Sequence, residues 1–200
     1  TTRLVASGSN VSLTGANNTL GGVVTAVGNT ASLNSKGALS AFVNVQEATL
    51  IAAGNLAVMG ATSKGLTTTT TGENSTTTFG NTSVGTDLTV TSTGSVSQEP
   101  NMALTVSGKT LINAGTRDVT LSNATNAFNS IAVTGGAVSV TDTNGVVLDA
   151  IKATSLTVKA GDAVTQTAAA TVTGATSVDA GANAVTLANA NNDFGSIGVT

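Results

Sequence analysis

The phrase "VTLSNATNAFNSIAVT", Val119 to Thr134, comes back as "VTLANANNDFGSIGVT", Val185 to Thr200, at an offset of 66 (185 − 119). The match runs upstream without gaps, so that "LTVSGKTLINAGTRD" (104–118) answers "ATVTGATSVDAGANA" (170–184). Paired positions include Gly115/Gly181, Asn123/Asn189, Asn126/Asn192, Phe128/Phe194 and Ile131/Ile197. Further back, "DLTVTSTGSVSQ" (87–98) answers "SLTVKAGDAVTQ" (155–166) at a spacing of 68 (166 − 98), because "EPN" at Glu99–Asn101 adds two residues and the single proline. A third, weaker copy, "VSLTGANNTLGGV" (11–23), stands near the start. Long-period self-similarity marks an array of supersecondary units, each buried against the next. The sequence opens and closes inside a repeat, so the expectation is one continuous segment, residues 1–200, of a longer array.

Within a repeat the hydrophobic period is two. "LTV", "VTL", "IAV" and "SLTVKA" alternate apolar and small polar residues, with Gly, Asn or Asp a few positions on. That pattern predicts short strands joined by tight turns. Hydrophobic residues make up 40% of the chain but aromatic ones only 2%, so a narrow core of Val, Leu, Ile and Ala is expected. Apolar anchors at Ile131, Leu156, Val178 and Ile197 divide the repeat into three coils of roughly 22 residues, in the range of short solenoid repeats. The predicted fold is all-β: a right-handed parallel β-helix with about 20–25 residues per coil and three coils per 66-residue repeat. Some nine coils at about 4.8 Å each make a rod of roughly 40–45 Å. Phe128 and Phe194, with Leu20 in the first copy, are expected to plug one repeated corner. The Thr-rich stretch "LTTTTTGENSTTTFGNTSVG" (66–85) is expected to be an irregular coil or an excursion from the rod.

Several chemistries are excluded or demoted. Seven scattered basic residues and a net charge of −3 argue against nucleic acid. No cysteine or histidine is present, which removes disulfides and most zinc and iron sites. No run of about 18 apolar residues could span a membrane as a helix. Asn123, Asn126, Asn189 and Asn192 recur at fixed positions; they read as turn residues that accept left-handed geometry and stack their amides, ahead of ligand or calcium binding. The acids lack that constancy: Asp179 faces Asn113, Asp193 faces Ala127 and Asp118 faces Ala184 across the repeat. A carboxylate pair or metal ladder would recur, so no catalytic, cofactor or metal residue is assigned. "DTNG" (142–145) lacks the later acids of a calcium loop. Asn-x-Ser/Thr sites at Asn10, Asn17, Asn74, Asn81 and Asn123 are what chance gives in such a composition.

Units such as "DVTLSNATNAFNSIAVTGGAVSVTDTNGVVL" followed by "TSLTVKAGDAVTQ" resemble the repeats of filamentous-haemagglutinin-type exoproteins, adhesins of two-partner secretion. The resemblance covers residues 82–200, with a looser match before them. It implies a right-handed β-helix rod, exported unfolded through an outer-membrane pore and displayed on or released from the bacterial surface. The Asn-Pro-Asn motifs of that family's secretion domain are absent, which implies shaft rather than export signal. The expected function is the structural shaft of a secreted or surface-displayed adhesin or matrix fibre, with polysaccharide, host or neighbouring-cell surfaces, or other copies of the fibre, as partners. A self-assembling filament or sheath subunit is the alternative; a polysaccharide-active enzyme or an ice-binding protein ranks below both.

Overall fold

The computed structural model describes residues 2–6 and 8–200, with side chains from residue 8 onward. The alternation read from the sequence is realised strand by strand. In Leu39–Val45, Leu39, Ala41, Val43 and Val45 point inward while Ser40, Phe42 and Asn44 face out. Ser155–Ala160 buries Leu156, Val158 and Ala160 and exposes Thr157 and Lys159. The described strands join in one parallel sheet wound into a β-solenoid of about 10 turns, roughly 19 residues each, without helix. Parallel pairing is the natural outcome, because each strand meets its successor only after a full circuit of the coil.

Registers set the coil length. Ala31 pairs with Ala48, a step of 17 (48 − 31), and Leu66 with Leu88, a step of 22 (88 − 66). Coils are thus shorter and more variable than the sequence spacing predicts, and the short coils of the first third turn at tight corners. The interior is a continuous column of Val, Leu, Ile and Ala, with Phe79 its largest fully buried side chain. Phe128 is buried within its strand, paired with Val106, and Phe194 lies against Val172, which pairs with Ala153; the two stand in different columns and do not plug one repeated corner. Leu20 and Phe194 are partly buried against the same core.

The repeat and the coil turn out to have different phases. Val119 stacks on Val138, Val138 on Leu156, Leu156 on Thr176, and Thr176 on Ile197. Three coils therefore carry Val119 to Thr176, nine positions short of its repeat counterpart Val185 (185 − 176). Val185 instead bridges Val164, which stacks on Val146. One repeat spans three coils plus one further face, so each copy is rotated about the rod axis relative to the last. The anchor spacing read from sequence is corrected accordingly: Ile131 stacks on Thr110 and Leu148, in a different column from Ile197. Like residues one repeat apart do not form ladders; chemically similar residues one coil apart do.

The Thr-rich stretch does not leave the rod. Leu66–Thr70 and Thr77–Val84 are strands in register with the coils on both sides. Consecutive threonines alternate faces, as a strand requires: Thr68 and Thr70 are buried and Thr67 is exposed. The Thr68 hydroxyl has no partner, whereas the inward hydroxyls at the corner beyond it are satisfied locally. Thr70 Oγ1 donates to Ser75 O (2.9 Å), Ser92 Oγ donates to the same carbonyl (3.1 Å), and Thr93 N donates to Thr70 Oγ1 (3.0 Å). A hydrogen-bonded hydroxyl corner replaces apolar packing here, which is why low complexity does not mean irregularity.

Candidate functional site

Asn126 is fully buried, and its amide makes four bonds. Its Oδ1 accepts from Gln98 Nε2 (2.6 Å) and Leu104 N (2.9 Å); its Nδ2 donates to Gln98 Oε1 (2.9 Å) and Leu121 O (3.0 Å). Every donor and acceptor of the amide is used, and the pair of primary amides is reciprocal. The same device returns at Asn192. Its Oδ1 accepts from Gln166 Nε2 (2.6 Å) and Ala170 N (2.9 Å), and its Nδ2 donates to Gln166 Oε1 (3.0 Å) and Leu187 O (3.2 Å). Each Gln–Asn pair ties two coils at a corner where the strand ladder is interrupted. The sequence does not single out the partners Gln98 and Gln166, although both end matched phrases, "SVSQ" and "AVTQ". They lie 28 and 26 residues from their asparagines, which hides the pairing.

Asn123 and Asn189 open the turns that lead to these pins, but none of the four repeat asparagines takes the left-handed geometry expected from the sequence; among the described non-glycine residues only Asn74 and Asn101 have positive φ. Asn123 Oδ1 accepts from Thr125 N (3.0 Å) and Thr125 Oγ1 (2.8 Å), and Asn189 Oδ1 accepts from Asn191 N (3.0 Å). The peptide N–H groups of Asn126 and Asn192 return to the carbonyls of Asn123 and Asn189, as Asn18 returns to Gly15 in the first copy. Asn123 borders an open cleft of about 430 Å³ with Gln98–Asn101. Its side-chain oxygen is already engaged within the turn.

The two matched phrases lie in a chain that fits a family model described as repeats of unknown function (DUF5649), over residues 65–134 and 135–200. The chain belongs to this family. No curated protein and no solved structure matches it. The boundary between the two DUF5649 units falls after Thr134, at the end of the opening phrase; the second unit has the 66-residue length of the echo, and the first is four residues longer (70 − 66).

The DUF5649 units also explain why acids come and go. Gly115 and Gly181 have φ of 60° and 56°, and their N–H groups are held by Asn113 Oδ1 and Asp179 Oδ1, both at 3.0 Å. An amide oxygen and a carboxylate oxygen accept the same bond, so the exchange is structurally silent. Asp87 and Asp118 similarly accept from the backbone of the next coil, at Lys109 N and Ala137 N, each 2.8 Å. Among the described residues no three acids gather as metal ligands would.

Asp142, the first residue of "DTNG", is the exception in burial. Its carboxylate accepts from Phe128 N (2.5 Å) and Asn144 N (2.7 Å) within the core edge. Burial raises its pKa above the usual carboxylate range, against the lowering effect of those two N–H donors. It receives the N–H of the coil below, as Asn126 does from Leu104, and so pins the same kind of corner.

The outer surface has its own order. Thr78, Ser97, Thr120, Ser139, Thr157 and Ser177 stack coil upon coil as one outward column. A second column, Ser12, Ser32, Thr49, Thr67 and Thr89, climbs another face through the first half of the rod. These registers are invisible in the sequence because they depend on coil lengths, not on the 66-residue period.

Proposed function

We propose that this chain is a shaft segment of a large secreted or surface-displayed bacterial fibre, an adhesin or matrix protein, that supports attachment or aggregation of cells. The observation that carries the reading is the parallel ladder that continues through about 10 turns, across its local register shifts, with a continuous apolar column inside it. Ten steps at about 4.8 Å give a rod of roughly 48 Å, and each coil interface shares axial load among several strands. A sparsely charged, hydroxyl-studded exterior with a net charge of −3 suits a long body that stays solvated while a distal part makes the specific contact. The likeness of "DVTLSNATNAFNSIAVT" and its neighbours to filamentous-haemagglutinin-type repeats supports export by a two-partner route and display at the cell surface. Lateral contact with polysaccharide along the Thr/Ser columns belongs to the same reading.

The test uses the whole protein in its own cells. An antibody raised against this segment is expected to label intact bacteria, and in-frame removal of residues 135–200 is expected to reduce attachment. Labelling only after permeabilisation, or attachment unchanged by the deletion, contradicts the proposal.

A further inference from the structure

Against the Ser/Thr/Asn/Ala exterior, five large apolar side chains stand exposed among the described residues: Phe42, Met102, Leu111, Ile197 and Val199. Ile197 and Val199 lie in the final strand, Asp193–Val199. The other three lie on the side of the rod. Phe42 and Met102 line one groove of about 680 Å³, together with Met59, Gly60, Gly80 and Glu99. Both methionines of the chain are there.

The groove exists because the fold is broken twice at this place. Gly60 has φ 113° at a register shift between Val58 and Gly60, and a Cβ there would collide with Val43 O. The backbone of the coil below therefore approaches closely, and Gly60 and Gly80 leave a floor without side chains. The second break is the Glu99–Asn101 insertion; Glu99, and Met102 just after the insertion, line the groove. Glu99 N donates to Phe79 O (2.8 Å), and Gln98 Nε2 donates to Met102 O (3.0 Å), holding the loop in place.

The repeat shows that the coil itself does not need these apolar groups. At the repeat offset of 66, Met102 corresponds to Ala168 and Leu111 to Ser177 (168 − 102; 177 − 111). Ser177 stands exposed on its own strand, so the fold accepts a small polar residue where Leu111 projects into solvent at 44% exposure. A groove and a knob thus occur on different sides of one rod, and the repeat replaces Met102 of the groove and Leu111 of the knob by small residues.

We propose that the groove receives Leu111 of a second copy of this chain, so that rods associate side by side. Charge favours that occupant: Glu99 is the one ionisable side chain lining the groove, and Lys109 projects from the same strand face as Leu111. Lys109 contacts Asp149 at 2.5 Å yet stays half exposed, leaving donors free for Glu99. Methionine side chains adapt readily to an inserted aliphatic group. Because knob and groove differ, the contact is heterologous and extends into rows instead of closing as a dimer. The inference goes beyond the shaft reading and does not depend on the rod's being an adhesin.

Sedimentation over a concentration series tests it, with variants that copy the chain's own second repeat and therefore keep the fold. Wild type is expected to associate as concentration rises. Leu111→Ser and Met102→Ala should each weaken association by about tenfold or more, as loss of an apolar anchor does, and the double variant should be no worse than either single. Glu99→Lys should weaken it as well. Wild type that stays monomeric overturns the proposal. So does association untouched by both variants, the signature of end-to-end contact through Ile197 and Val199. Weakening by Met102→Ala but not by Leu111→Ser also overturns it, since the groove would then take something other than Leu111.

Discussion

At the scale of residues, the solenoid depends on a few buried polar groups whose bonds are either complete or missing. Asn126 is the complete case. Asn126→Ala would strand the Leu104 N–H and the Leu121 carbonyl in the interior, a loss of about 2–4 kcal/mol read as a lower urea midpoint. The matching change at Asn192, which is only partly buried, should cost less. Thr110 and Thr176 are the incomplete case: these repeat-equivalent residues are buried with hydroxyls that have no partner. Thr110→Val keeps the shape and removes an unpaired hydroxyl, so it should raise stability by about 1 kcal/mol; a lowered midpoint would mean that hydroxyl is bonded. Asp142 is the pH-sensitive group. Its folded pKa is raised, so the folded state binds a proton more readily than the unfolded chain and gains stability in acid. That gain is present below the unfolded pKa and fades as pH rises through the folded one. Asp149, lowered by its bond to Lys109, acts in the opposite direction but is more exposed. Asp142→Asn should abolish the acid-side rise in thermal midpoint; a rise that persists in the variant would place its origin elsewhere.

At the scale of elements, the strands are legible in the sequence and the corners are not. Alternation in "SLTVKA" and "LSAFVNV" fixes which side chains face inward, because a strand has a period of two whatever its neighbours do. The Thr-rich run obeys that rule too, and its low complexity conceals regular strands instead of marking an excursion. What alternation cannot supply is how many residues each corner takes, and hence which strand lies above which. Steps of 17 and 22 coexist (48 − 31; 88 − 66), so the columns drift against the 66-residue period. The Gln98–Asn126 pair is hidden for the same reason: it joins residues 28 apart, a distance set by corner length. Gly60 tests the element view directly. Gly60→Ala would bring a Cβ against Val43 O in a left-handed conformation, and should destabilise the first coils by about 1–3 kcal/mol. Hydrogen exchange should show the loss in Leu39–Val45 and Leu56–Thr62 first, with the strands after Leu104 little changed, since a solenoid transmits strain mainly to its neighbours.

At the scale of the whole molecule, the 66-residue echo announces an array, and the array is a parallel β-solenoid built from DUF5649 repeats. The repeat is a unit of sequence, whereas the coil is the unit of stacking, and the two differ by one face of the rod. That mismatch turns each repeat about the axis, presenting any repeated surface feature to successive directions around the fibre. The chain has no cysteine, so spin labels can be placed at chosen sites without background. Labels at Thr78 paired in turn with Ser139, Thr157 and Ser177 lie three, four and five coils apart along one outward column. Pulsed dipolar distances should grow by about 4.8 Å per coil, to roughly 14, 19 and 24 Å before the length of the labels is added. Distances that fail to rise with coil number, or that follow the 66-residue period instead, would contradict the solenoid and its stacking register.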